Sequence, residues 1–204
     1  MPSDGDGRAL RSETTRAALV AAARALFVDH GYAAVSTGDI ARAAAVTRNA
    51  LYYHFPTKEA VFRAVYEDVE RQLAEAVLPA ALAEPTARRR LEVGCELFLD
   101  GCLDPAVARV SILDAPAALG FAQMREIDNR NYLSALRDGL RAGVEDGEIA
   151  DLPVDTLASM IIGALDEAAL LIASSDDPRR ARRDAGAVAR ALVGGLFTAA
   201  PKIG

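Results

Sequence analysis

Between Ser36 and Lys58 the chain gathers groups suited to gripping a nucleic acid. Thr47, Arg48, Asn49, Tyr52 and His54 fall together on a stretch that spacing predicts to be a short helix of about 47–53. An arginine fork bonds guanine O6 and N7 together, and an asparagine bonds adenine N6 and N7. Phenols and hydroxyls donate to phosphate oxygens. The interleaved Leu51 and Phe55 are apolar and are expected to face inward, holding the helix against Ile40 and Phe27. Taken singly, Tyr52 packing on a neighbouring helix and His54 capping a helix end are competing readings. A metal role for His54 finds no support, since His30 is the only other histidine.

The elements that must position these groups are written in the surrounding residues. Residues 12–29 place Leu19, Ala22, Ala23, Leu26 and Phe27 on one helical stripe, and Gly31 follows as a stop. Ser36-Thr37-Gly38-Asp39 has the form of a capping box opening a helix of about 37–44, in which Ile40 and Ala41 are buried. A tight turn at Ala44-Ala45-Val46 leads to Thr47, which can cap the next helix. Pro56 ends that helix, and Thr57 can cap a long one of about 57–82. Two short helices joined by a tight turn and buttressed by a longer one make a helix-turn-helix, whose second helix enters the major groove.

Other chemistry is thinly represented. Cys95 and Cys102 stand seven apart on one helix face, without a Cys-x-x-C or partnering histidine, and read as reduced thiols packed like small apolar groups. Glu126, Asp128 and Asp166 could serve as acid and base in an enzyme, but no nucleophile–base pair, glycine-rich phosphate loop or metal-ligand spacing accompanies them. No cofactor and no metal are expected.

Composition sets the frame. The 204 residues are 51% hydrophobic with 5% aromatics and no Trp, which favours a helical chain with a substantial core. Net charge is −6, which ordinarily argues against nucleic acid. The balance is uneven, however: residues 1–63 carry 8 Lys and Arg against 6 Asp and Glu, a balance of +2, while residues 64–204 carry 15 against 23, or −8. Phosphate attraction acts over a screening length of about 10 Å, so a positive head on an acidic body is compatible with DNA. Met1 to Gly7 lacks an apolar core for a signal peptide. The run Met160 to Ala173 is short for a membrane span and contains Asp166 and Glu167. A cytoplasmic protein without a membrane partner is expected.

Beyond residue 82, helices are expected near 86–102, 105–114, 121–146, 153–174 and 178–198, and no segment alternates with period two. The expected fold is all-α: an N-terminal three-helix helix-turn-helix domain and a larger helical C-terminal domain, to which the family resemblance given below assigns dimerisation and ligand binding. The expected division is a disordered tail at 1–11, a DNA-binding domain at 12–58 and a C-terminal domain at 59–204. The 153–174 and 178–198 helices are apolar around much of their circumference, so each must be covered on more than one side. Ile161, Leu165, Ala168, Ile172, Val188, Leu192 and Leu196 are the candidate dimer residues, the competing reading being the core of a monomer. Phe98, Cys102, Ile112, Phe121, Met124, Asn129, Tyr132 and Asp166 are candidate lining for an apolar pocket with a few polar groups, with core packing as the competing reading for each. Arg179, Arg180, Arg182 and Arg183 read as a solvated face or as ion-pair partners of the acidic body.

The wording of residues 12–65 closely resembles the N-terminal domain of the tetracycline-repressor (TetR) family. The run T-R-A-A-L-V-A-A-A-R-A-L-F is followed by G-Y and then by S-T-G-D-I-A-R-A-A-A-V-T-R-N-A-L-Y-Y-H-F-P-T-K-E-A-V-F. The resemblance implies an all-α homodimeric repressor with a variable ligand-binding C-terminal domain, its last two helices pairing with their symmetry mates in a four-helix bundle. It implies that Thr37 contacts phosphate, that Thr47 and Arg48 face the groove, and that Tyr52 and His54 grip phosphates, with Tyr53 near backbone or sugar. Lys58 matches the lysine that opens the fourth helix, where ammonium and exposed amides meet one phosphate. Two residues depart from the pattern: Ala45 stands where the family usually has Gly in the turn, and Asn49 where it has a small residue. A repressor released from operator DNA by a small apolar or amphipathic ligand is one reading; a DNA-binding regulator controlled by a protein partner is the other.

Overall fold

The computed structural model describes the backbone of residues 4–197 and the side chains from Ala9 onward. The helices are α1 (Asp4–His30), α2 (Thr37–Ala43), α3 (Arg48–His54), α4 (Lys58–Leu82) and α5 (Ala87–Gly101), then α6 (Ala115–Ala118), α7 (Gly120–Asp128), α8 (Ser134–Glu145), α9 (Val154–Ala173) and α10 (Pro178–Gly194). Two π-helical segments, Val107–Asp114 and Asn129–Leu133, interrupt the series. Among the described residues there is no strand, only an isolated antiparallel bridge between Ile149 and Phe197.

Each local start signal is realised. Ser36 accepts from the Asp39 amide at 3.2 Å while the Asp39 carboxylate accepts from the Ser36 amide at 3.1 Å, which closes the capping box. That bonding, the Ser36 side chain first, holds the Asp39 carboxyl below its ordinary value. Thr47, Thr57, Thr86 and Asp177 cap α3, α4, α5 and α10, each side chain accepting the amide three residues on, without the reciprocal bond.

Three expectations are corrected. The tail is helical from Asp4, and residues 1–3 lie outside the described residues. Arg8, Ala9, Leu10 and Arg11 are good helix formers, and extending an existing helix adds a hydrogen bond per residue without a new nucleus. The helix expected over 121–146 breaks into α7, a π-helical turn and α8. Finally, the apolar run is longer than Met160–Ala173: Leu157 and Ala158 continue its stripe, so α9 has 20 residues. It is the one described helix long and apolar enough, by length and composition, to cross a membrane. The last helix ends at Gly194, and residue 198, where it was expected to finish, lies outside the described residues.

The long α4 is the spine, packing on α1 at one end and on α5 and both π-helical segments further along. One hydrophobic cluster therefore runs from Leu19, Phe27, Ile40, Leu51 and Phe55 through Phe62 and Tyr66 to Val110 and Ile127. Phe27, Tyr32 and Phe62 stack edge-on within it, with ring centroids 4.8–5.8 Å apart. The helix-turn-helix and the body thus share a core across α4. Two further clusters fill the body, one around Leu133, Leu140 and Ala158, the other around Leu99, Ala169 and Ile172.

Candidate functional site

The turn between α2 and α3 determines where the recognition groups point. The Val46 amide donates to Ala41 O at 2.9 Å and the Ala45 amide to Arg42 O at 3.1 Å, the paired bonds of a Schellman ending. That ending needs a left-handed residue, and Ala45 supplies it at φ +54°. A Cβ there is strained, which is the physical content of alanine standing where glycine is usual. With the turn so formed, Leu51 and Phe55 are buried and Thr47, Arg48, Asn49, Tyr52 and Tyr53 are exposed on one side of α3. Tyr53 projects furthest, its ring edge-on to half-buried His54 at 5.2 Å. Arg48 lies folded over Gly38, close enough that a Cβ at that position would stand 2.5 Å from a guanidinium nitrogen. Thr37 Oγ1 and Tyr52 OH share a hydrogen bond at 3.0 Å, tying the start of α2 to α3.

Thr37, Tyr52, Pro56, Thr57 and Lys58 line a shallow notch beside the start of α4. Lys58 is doubly engaged within it. Its Nζ donates to the carbonyls of Tyr32 (2.9 Å) and Val35 (3.1 Å) and sits 4.2 Å over the Tyr32 ring. The ammonium therefore braces the α1–α2 loop at the rim of the notch. The same loop is also held by the body: the Tyr32 amide donates to Asp114 Oδ2 at 2.7 Å, and Arg109 Nε donates to the same oxygen at 3.2 Å. Gly31, at φ +78°, leaves the space over which the Arg109 guanidinium lies.

The body holds a cavity of about 480 Å³ walled by α4 (Leu73, Val77, Ala81), α5 (Leu91, Cys95, Phe98), Tyr132, α8 (Leu136, Leu140), Ile149 and α9 (Ile161, Ile162, Leu165). Of the eight expected lining residues, Phe98 and Tyr132 are there. Phe121 is 80% exposed on the surface, Cys102 is sealed in a core cluster, and Ile112 and Met124 pack against core clusters. Asn129 accepts from Arg137. The wall residues on α4 and α5 escaped the sequence reading because an apolar stripe facing a cavity has the same period as one facing a core. Burial pushes the Cys95 thiol up to about 11 and the Cys102 thiol to about 12, so neither is a reactive thiolate.

Beside the cavity, joined to it by Tyr132, stands a polar group that no sequence signal marked as a unit. Tyr66 OH donates to Asp128 Oδ1 at 3.0 Å, and Tyr132 reaches both Asp128 and Glu70. Glu70 is 3% exposed, and burial raises its carboxyl to about 7. Burial, then Asp128, raises Asp166 to about 6. Asp128, the third carboxyl, is also raised, again mainly by burial.

Two family models match the chain: "Bacterial regulatory proteins, tetR family" over residues 19–65 and "Tetracyclin repressor-like, C-terminal domain" over residues 88–196. The crystal structure of a TetR-family transcriptional regulator from Pectobacterium atrosepticum superposes with a TM-score of 0.82 at 30% identity, covering 93% of this chain and 97% of that one. This chain belongs to the TetR family. The Transposon Tn10 TetC protein of Escherichia coli is 24% identical over 151 residues, 74% of this chain and 76% of that protein. The structure of the regulator FadR from Bacillus subtilis in complex with stearoyl-CoA shares the fold, with a TM-score of 0.71 at 22% identity over 89% of this chain and 97% of that one. Like other TetR-family members, the chain is a DNA-binding transcription regulator.

On this TetR chain the α9 and α10 surfaces divide sharply. Val188 and Leu192 on α10 are each 59% exposed, and Met160, Leu170 and Leu171 on α9 are exposed with them. The other expected interface residues lie elsewhere. Ile172 is fully buried beside Leu99 and Ala169, Ile161 and Leu165 face the cavity, and Ala168 and Leu196 pack half-buried on internal clusters. The expected residues thus fall on covered as well as exposed sides of the two helices, since the two sides of α9 are almost equally apolar and the sequence does not tell them apart. Of the arginines after Pro178, Arg182 is bound inward to Asp100 (2.6 Å) and Glu96 (2.6 Å), which ties α10 to α5. Arg180 pairs with Asp184 on its own helix.

Proposed function

We propose that the chain works in the cytoplasm as a homodimeric repressor, released from its operator by a small molecule bound in the cavity. Residues 12–58 form the DNA-binding unit and residues 59–204 the ligand-binding and dimerisation unit. Arg48 and Asn49 read bases, Thr47 faces the groove, and Thr37, Tyr52, Tyr53, His54 and the amides at Lys58 hold the phosphates. The exposed Val188 and Leu192 of α10, with Met160 and Leu171 of α9, meet the same residues of a second copy, which covers this apolar face and holds two recognition helices at a set spacing.

The observation that carries this reading is the position of α4. Its first residue, Lys58, braces the loop beside the recognition helix, and its Leu73–Ala81 stretch forms a wall of the cavity. A ligand that displaces that wall shifts a rod whose other end sets the half-site spacing, and it does so only if it favours the DNA-incompetent arrangement. The test is footprinting of the purified protein on the DNA upstream of its own gene, followed by titration with compounds found to raise its melting temperature. Protection of two half-sites that is lost on adding such a compound is the expected result. Stabilising compounds that leave the footprint unchanged would rule out release by a ligand.

A further inference from the structure

We propose that the cavity takes a cationic amphipathic ligand, an organic amine whose charged head is held by Glu70, Asp128 and Asp166 and whose apolar body fills the space along α4. The proposal rests on the reading of the cavity as the effector site and names the chemistry of that effector.

The placement is geometric. Along α4 the stripe that walls the cavity is Leu73, Val77 and Ala81, and Glu70 is the preceding position of the same stripe, about 4.5 Å along the axis from Leu73. Tyr132 belongs to both parts: it lines the cavity and reaches Glu70 and Asp128. Asp166 follows the cavity residue Leu165 on α9 and shares a helix face with buried Ile162 and Ala169, yet it stays accessible to solvent. The carboxylates thus lie next to an apolar chamber, with the shared Tyr132 between the two.

An independent observation marks the acidic cluster as a binding position. Ser111 is 3% exposed, and its hydroxyl, near enough to Glu70 to lower that carboxyl, completes no hydrogen bond of ordinary geometry. Buried hydroxyls are almost always satisfied. An ammonium carries several donors and would supply one to Ser111 Oγ and others to the carboxylates. Charge decides between head groups. Three carboxylates act on one another there, and the positive charge of Arg125 reaches both Asp128 and Asp166. A cation favours their ionised forms, whereas a carboxylate or phosphate head adds a like charge to a site of low dielectric. The acidic cluster therefore excludes anionic amphiphiles that the apolar walls alone would accept.

Calorimetric titration of the full-length protein tests this with four probes below their micellar range: n-decylamine, n-decanol, n-decanoate and decanoyl-CoA. Decylamine is expected to bind about tenfold or more tighter than decanol and decanoate, as befits a buried charge pair. Asp166→Asn and Glu70→Gln are each expected to remove most of that advantage and to leave decanol affinity unchanged. Circular dichroism melting checks both folds, and Asp166→Asn, at an accessible position, decides alone if Glu70→Gln does not fold. Decanoate or decanoyl-CoA binding as tightly as decylamine overturns the charge assignment and leaves the effector cavity standing. An undiminished decylamine preference in folded Asp166→Asn overturns it as well. Failure of all four probes to bind overturns the cavity reading and the proposal together.

Discussion

Asp114 accepts the backbone amide of Tyr32 at 2.7 Å, and this contact joins the end of a π-helical segment in the body to the loop that leaves α1. The Tyr32 carbonyl in turn accepts from Lys58, so one peptide stretch connects the body to the start of α4. Three residues before Asp114 stands Ser111, beside Glu70 in the acidic cluster next to the cavity. A shift of the π-helical segment would reach the helix-turn-helix through this one carboxylate. Asp114→Ala is expected to cost about 1.5–3 kcal/mol of stability, the range for hydrogen bonds to a charged group. It should also shrink the factor by which a cavity ligand changes operator affinity. Fluorescence anisotropy with and without ligand measures that factor, and an unchanged value would remove Asp114 from the coupling.

The left-handed Ala45 gives a prediction of opposite sign. Ala45→Gly relieves the Cβ strain at φ +54° while adding some unfolded-state freedom, for a net gain of about 1 kcal/mol. The melting temperature should rise by about 2–4 °C for a chain of this size. A fall would show that the turn does not hold this backbone in solution.

Arg48 and Lys58 should separate when replaced by alanine. Arg48 is exposed and folded over Gly38, so Arg48→Ala should leave the melting temperature alone and relax base preference at one position of each half-site. Lys58 braces two carbonyls, so Lys58→Ala should lower the melting temperature and weaken binding to all sequences alike. Binding measured across a set of single-base operator variants, beside a melt of each protein, distinguishes them. Equal effects of the two substitutions on base preference would refute the assignment.

The two sides of the last helix pair make a matched experiment. Leu192→Glu should give a folded monomer with weakened operator binding, because Leu192 is 59% exposed within the chain and the charge costs nothing until a second copy covers it. Ile172→Glu should abolish folding, because Ile172 is fully buried among apolar neighbours. Sedimentation of Leu192→Glu as a dimer would overturn the interface.

Glu70 makes the fold more stable in mild acid. Its carboxyl is raised from 4.5 to about 7 by burial beside Asp128 and Asp166, against the lowering effect of Ser111 and Tyr132. The native state therefore binds more protons than the unfolded chain between those values, and stability falls as pH rises from about 4.5 through 7. Asp166, raised to about 6, adds to the loss in the same direction. Asp39 and Glu92, whose carboxyls are lowered by their hydrogen bonds, act the other way, and their contribution is lost only in stronger acid. Glu70→Gln should flatten the fall between pH 5 and pH 8. Identical slopes in wild type and variant would show that Glu70 is not the titrating group.

What the amino-acid sequence determined by itself is local. The capping box at Ser36 and Asp39, the caps at Thr47 and Thr57, the turn around Ala45 and the inward pair Leu51 and Phe55 all involve partners a few residues apart or on one helical stripe. The exposed face of α3 follows from those alone, which is why the candidate DNA-contacting groups could be named from the chain. Periodicity reports which residues share a helix face but is silent on what that face meets. Ile172 and Leu192 read alike as apolar positions on apolar helices, and only packing puts one in the core and the other on the surface. Glu70, Ser111, Tyr132 and Asp166 come from four segments spread over almost a hundred residues. So do the carbonyls that turn Lys58 inward and the carboxylate that holds Tyr32, both supplied from distant parts of the chain. Tertiary structure decided these because the free energy of a buried charge or an apolar face depends on its neighbours in space.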